Sequence, residues 1–162
     1  MRSPSPSPPL RAAWEATRVE IRWLHGLEVV PAIAEARALP RGQGVTGPHG
    51  HVVTAWNPAA RPLLPRENAA RQAALCAVVA AAGLPGVPAT GRAVDGSWHE
   101  DGIFLPARGA LADARETALA LGRAFGQVGI YEIEGGRLRA LACADGAVVA
   151  PLAAGAGASR AG

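Results

Sequence analysis

The sequence predicts a single α+β domain: a mixed or mainly antiparallel sheet with helices packed over one face. Three observations carry that prediction. The chain has 162 residues, enough for one hydrophobic core and too few for two generous ones. Its period-2 segments come in neighbouring pairs interrupted by helical segments, the pattern of locally paired strands rather than of regular βαβ units. Its apolar fraction is 49%, much of it alanine, so the core must be anchored by a few large side chains, Trp14, Trp23, Trp56, Trp98, Phe104, Phe125 and Tyr131, with the leucines and valines.

Residues 1–9 alternate Ser and Pro and read as a disordered lead, because such repeats make neither helix nor central strand. LRAAWEA predicts a short helix over 10–16. In TRVEIRW, 17–23, Thr17, Val19, Ile21 and Trp23 alternate with charged residues, as in a half-buried strand, and Gly26 permits a turn into its hairpin partner, 27–30. PAIAEARAL predicts a helix over 31–39 with Pro at a tolerated first-turn position, followed by a glycine-rich loop over 40–50. HVVTAW, 51–56, is almost wholly apolar and reads as an internal strand. After a proline-rich linker, RENAARQAALCAVVAAAG predicts a helix over 66–82 stopped by Gly83. VPATGRAV and GIFLP read as strands around the polar DGSWHED. The helix predicted over 110–125 carries Leu111, Ala114, Ala118, Leu121 and Phe125 in one stripe. VGIYEIEGGRLRALA is a hairpin turning at Gly135-Gly136. A last strand is expected near 148, and 151–162 reads as a flexible tail, leaving 10–150 as the domain.

All sixteen positive residues are arginine, for a net charge of +3, and they are spread along the chain with no basic block. A nucleic-acid surface needs a patch or stripe, so charge alone gives that class little support. Cys76 and Cys143 fall within predicted elements, form no CxxC and read as buried free thiols. The N-terminus lacks the apolar core of a signal peptide, and the longest apolar window, 73–85, is too short to span a bilayer. The expected location is the cytoplasm, with no membrane partner.

Two motifs fail on context. GQGVTG, Gly42 to Gly47, matches the dinucleotide pattern, but that fingerprint needs a strand before it and a helix opening within it. Here a helical segment precedes it, and Pro48, His49 and Gly50 follow. His49 and His51 share a face if extended, as some metal sites need, yet no further ligand motif supports them. No metal and no cofactor is expected.

The remaining polar residues converge. Asn57 ends the strand at 51–56, where Asn before Pro either caps a turn or offers its amide at the rim of the fold. Asn68 and Arg71 lie three apart near the start of their helix, where exposed N–H groups favour an anion; the Arg71 guanidinium suits a carboxylate or phosphate, or else pairs with Glu100 or Glu67. Trp98 and Glu100 share a face in an extended segment: an aromatic wall beside a carboxylate whose proton affinity burial can raise. Gln127 follows the Gly126 helix stop and either reaches the same end of the sheet or caps its helix.

TAWNP at 54–58, the ENAARQ segment, the GRAVDGSWHE stretch at 91–100 and LGRAFGQ at 121–127 resemble, in order, the hallmark segments of the DUF3293 family, bacterial proteins of unknown function. The resemblance covers roughly residues 10–143. It implies that Asn57, Asn68, Arg71, Trp98, Glu100 and Gln127 belong together, and it names no chemistry; the HxH and GQGVTG segments fall outside its pattern. Two functions are therefore expected to compete. One is a pocket for a small anionic molecule or nucleotide, with hydrolase or transferase activity open, in which Arg71 holds the anion, Glu100 handles a proton and Asn57, Asn68, Trp98 and Gln127 bind. The other is a non-catalytic module for RNA or a protein partner, in which Arg18, Arg22, Arg37, Arg41, Arg137 and Arg139 meet on one sheet face.

Overall fold

The computed structural model describes residues 7–37 and 47–150. In chain order the elements are α1 (Pro8–Glu15), β1 (Thr17–Trp23), β2 (Gly26–Val30), α2 (Ile33–Ala36), β3 (Gly50–Thr54), α3 (Pro65–Ala81), β4 (Val87–Ala93), β5 (His99–Pro106), α4 (Leu111–Ala124), β6 (Gly129–Glu134), β7 (Arg137–Ala142) and β8 (Val148–Ala150). The eight strands form one sheet in the order β2-β1-β4-β5-β3-β6-β7-β8, and every pairing is antiparallel. The fold is α+β, as predicted.

The differences from the sequence reading are local. The first helix starts at Pro8, because proline is tolerated in a first turn whose N–H groups have no helical partner. The helix expected over 31–39 is only Ile33–Ala36; residues 38–46, with most of the GQGVTG loop, lie outside the described residues, as do 1–6 and 151–162. β5 begins at His99, earlier than GIFLP suggests, since His99, Glu100 and Asp101 pair with Arg92, Gly91 and Thr90 of β4.

Adjacent residues of a strand face opposite ways, and the core divides accordingly. Val53, Ile103, Leu105, Ile130 and Leu141 meet Leu75 and Val79 of α3 and Ala118, Leu119 and Leu121 of α4. Each fully buried Leu or Val there contributes on the order of 1.5–3 kcal/mol. The two long helices thus cover one face, over β5, β3 and β6. Val52, Phe104, Tyr131, Ile133 and Leu138 look the other way, into a second cluster with Val19, Ile21, Trp14 of α1 and Ile33 of α2. α1 precedes β1 in the chain yet touches β8 at the far end of the sheet. The sheet therefore curls, and the short helices α1 and α2 lie in its concave side.

α4 is pinned to its face by a buried charge cluster as well as by apolar contact. Arg115 of α4 donates two hydrogen bonds to Glu132 of β6, at 2.8 and 2.9 Å, and Arg139 of β7 also pairs with that carboxylate. His51 Nε2 meets Glu132 at 2.7 Å, and both side chains are fully buried. Burial alone would push the Glu132 carboxyl up, but hydrogen bonds from Arg115, His51 and Arg139 outweigh it and hold the group at about 2. Burial pushes the His51 imidazole down, against the pull of Glu132, so the ring is neutral. The HxH histidine is thereby a member of a structural network. Among the described residues no three His, Cys, Asp or Glu side chains gather where they could hold a metal ion.

Candidate functional site

The TAWNP segment is where the sheet stops and the site begins. β3 ends at Thr54, and the next three residues leave the sheet with main-chain groups that must find partners elsewhere. Side chains supply them. Ala55 N–H donates to Gln72 Oε1 at 3.2 Å, and Arg71 Nε donates to the Ala55 carbonyl at 2.8 Å. Trp56 N–H donates to Thr54 Oγ1, and Gln127 Nε2 donates to the Trp56 carbonyl at 2.8 Å. Asn57 N–H donates to Asn68 Oδ1 at 2.9 Å. Three residues on one stripe of α3 thus clamp the strap, which explains why α3 turns polar amides inward at Asn68 and Gln72 above its apolar Leu75 and Val79. The second amino group of Arg71 donates to the Phe125 carbonyl, tying the end of α4 into the same joint.

Asn57 is the product of this clamping. It sits in the left-handed region at φ 46°, which Asn tolerates better than most residues, and Ala59 and Ala60 follow it there at 54° and 57°. Consecutive left-handed non-glycine residues cost about 1–2 kcal/mol each. The turn is held against that cost by Ala59 N–H donating to the Gly126 carbonyl at 2.7 Å. The Asn57 Oδ1 accepts from Asn68 Nδ2 at 2.9 Å and from Leu63 N–H at 3.0 Å, which leaves its Nδ2 aimed at Glu100 Oε1, 2.8 Å away. Asn57 both closes a turn and positions a carboxylate.

Glu100 opens into a cavity of about 250 Å³ at this end of the concave side. Its wall takes Thr54 and Val52 from β3, Gly91 from β4, Glu100 and Gly102 from β5, Gly129 and Tyr131 from β6, Thr17 and Val19 from β1, and Leu10 and Trp14 from α1; Trp98, Asn57 and Gln127 complete it. Glycine at 91 and 102 makes the room, since a side chain there would stand in the cavity or against the Val53 backbone. Among the described residues Glu100 is the one acidic side chain in the wall, and no arginine or histidine joins it. Burial pushes its carboxyl above its ordinary value, and the Asn57 hydrogen bond offsets only part of that. Burial likewise pushes the Tyr131 hydroxyl up, so Tyr131 stays neutral; it donates to the Trp14 carbonyl at 3.2 Å.

The six residues singled out in the sequence fall into two layers. Asn57, Trp98, Glu100 and Gln127 line the cavity. Asn68 and Arg71 stand behind it. Asn68 is 3% exposed and bonds to Asn57, while Arg71 spends its donors on two backbone carbonyls and pairs with neither Glu100 nor Glu67. The arginine clamp expected for an anion is absent from the wall. The sequence reading missed Trp14, Thr17, Tyr131 and Gly102. The glycines inside β4 and β5 are the signal that could have found this surface, because glycine in a strand interior marks close approach or open space. Cys143 is buried as expected, and burial pushes its thiol up to about 11; Cys76, expected to be buried, is exposed, because α3 turns Asn68, Gln72, Leu75 and Val79 inward and Cys76 off that stripe. Neither lines the cavity.

Fold and site define an α+β domain with a small cavity under a strapped strand end. Residues 53–130 match the family model described as Protein of unknown function (DUF3293). That span holds the strap, α3, β4, β5 and α4, and is narrower than the roughly 10–143 the motifs suggested. No curated protein and no solved structure matches the chain. Among the described residues no helix is long and apolar enough to cross a membrane.

Proposed function

We propose that the chain is a small-molecule-binding domain whose ligand occupies the cavity beside Glu100, and that Glu100 exchanges a hydrogen bond or a proton with it. The observation that carries this reading is the expense of holding Glu100: a strained turn, two interlocked asparagines and three clamping side chains end in one half-buried carboxylate facing open space. Strain of that kind gathers at functional sites. A volume of about 250 Å³ lies below the roughly 300–1,000 Å³ of drug-sized pockets, so the ligand is a single ring with a short arm. The hydroxyls of Thr17 and Thr54 already donate to the Ala13 and Asp101 carbonyls, both at 2.7 Å, so the wall favours binding or proton transfer over covalent catalysis. The expected anion clamp is not carried forward, because Arg71 is committed to the strap.

Gly91 provides the test. A Cβ there meets only Thr17 Cγ2, at 3.4 Å, and the Glu100 carbonyl, at 3.9 Å. Gly91→Ile should therefore keep the fold, favouring the strand, while filling the cavity. Ligand-observed NMR of a fragment library should give hits on the wild-type chain that vanish in Gly91→Ile. Hits that persist unchanged in a folded variant would show that the cavity is not the site.

RNA binding gains no specific support. Of the arginines expected to form a strip, Arg18 pairs with Glu35, Arg37 with Glu15 and Arg139 with Glu132, and Arg41 lies outside the described residues.

A further inference from the structure

We propose that the cavity's ligand is a protonated amine carried on a single ring, with its ammonium on the outer oxygen of Glu100 and its ring against Trp98, Trp14 and Tyr131. The inference rests on the reading of the cavity as a ligand site and adds the ligand's charge and class. Its first support is what the wall lacks. Of the other half-buried or buried glutamates, Glu15, Glu20, Glu35 and Glu132 each take at least one arginine, and Glu28 accepts from the Trp23 indole. Glu100 takes an amide instead, on one oxygen only, and its Oε2 accepts no hydrogen bond from the described residues. A carboxylate withdrawn from water without a cation is costly, and a cation from outside relieves that cost.

The second support is the direction of the remaining polar groups. Thr17, Thr54 and Tyr131 each already donate their hydroxyl proton to a backbone carbonyl. Gln127 donates through Nε2 to the strap, which turns Oε1 into its free acceptor. The free oxygens of Glu100 and Gln127 are acceptors, and together they call for a ligand that donates. An ammonium brings three donors and a charge. The aromatic residues in the wall add attraction for a cation that neither an alcohol nor a carboxylate shares.

Three probes of matched shape decide the matter on the full chain: phenethylamine, phenethyl alcohol and hydrocinnamate, each titrated by ligand-observed NMR. The amine should bind at least about tenfold more tightly than the alcohol, and the carboxylate should bind most weakly. Glu100→Gln should erase the amine's advantage and leave the alcohol unchanged. A carboxylate that binds as well as the amine, or an amine preference that survives Glu100→Gln, overturns the charge assignment while leaving the cavity a ligand site. Binding of none of the three, or binding equally strong in Gly91→Ile, overturns the proposal together with the site reading beneath it. Because the order of the probes is read on the wild-type chain, poor folding of Glu100→Gln would not leave the outcome open.

Discussion

Asn68 stands behind the cavity and acts on it through a neighbour. Its amide makes two bonds to one neighbour, accepting from the Asn57 N–H and donating to the Asn57 Oδ1, each at 2.9 Å. Both ends of the side chain are satisfied in a site only 3% exposed. Truncation leaves the Asn57 N–H unpaired while the Asn57 Oδ1 keeps the Leu63 N–H alone, and an unsatisfied buried group costs about 1–3 kcal/mol. Asn68→Ala should lose stability of that order in urea unfolding, and it should also weaken cavity ligands although it never touches them, because Asn57 is no longer aimed. A variant that binds wild-type ligands with unchanged affinity would assign Asn68 to stability alone. At this scale the sequence singled out residues without saying which way they face. Asn57 and Gln127 each carry a donor and an acceptor, and only the partners they meet decide which end is left for the cavity.

At the scale of elements, the site depends on α4 lying close to the sheet, since the turn after α4 supplies Gln127 and the carbonyl that holds Ala59. Gly122 permits that approach: a Cβ there would stand 2.6 Å from Cys143 Sγ and 2.9 Å from an Ile130 methyl carbon. Overpacking of a tight core costs about 1–3 kcal/mol. Gly122→Leu should destabilise the chain by that amount or more in thermal unfolding, whereas Ala120→Leu on the exposed face of α4 should be close to neutral. The elements were legible where period and punctuation agree: Gly126 ends α4, Gly135-Gly136 turns β6 into β7, and the alternation of TRVEIRW is β1 to the residue. Legibility failed where pairing overrides composition. His99 to Asp101 reads as polar loop, yet β4 recruits it into β5, and a hydrogen-bonded neighbour is not a local property.

For the molecule as a whole, the charge cluster under α4 sets the response to acid. The Glu132 carboxyl falls from an ordinary 4.5 to about 2 in the fold. A group depressed in this way contributes stability that is complete above about 4.5 and lost as pH falls toward 2, worth roughly 3 kcal/mol. His51, kept neutral by burial, adds a loss that starts as pH falls through its ordinary 6.5, where the unfolded chain takes up the proton. Glu100 works in the opposite sense: its raised carboxyl binds a proton more tightly in the fold, so stability is regained as pH falls through its folded value toward 4.5. Urea unfolding from pH 7 to 3 should show net loss, steepest below 4.5. Arg115→Met removes two of the bonds to Glu132 and should flatten that lower limb; an unchanged slope would place the acid sensitivity elsewhere.

Period, turn chemistry and spacing act over a few residues, and they were enough for the α+β class, the hairpins and the helix stops; the grouping of the polar residues came from the resemblance to a family. The long-range packing places Arg71 on the segment after β3 and outside the cavity wall, puts His51 in a buried ion cluster, and brings α1 and β6 to wall the cavity. Each of those outcomes depends on groups far apart in the chain competing for the same partner. Arg71 lies 16 residues from the Ala55 carbonyl and 54 from that of Phe125. Whether a guanidinium meets a backbone carbonyl, a carboxylate or a ligand is settled by which of them the folded sheet brings within reach.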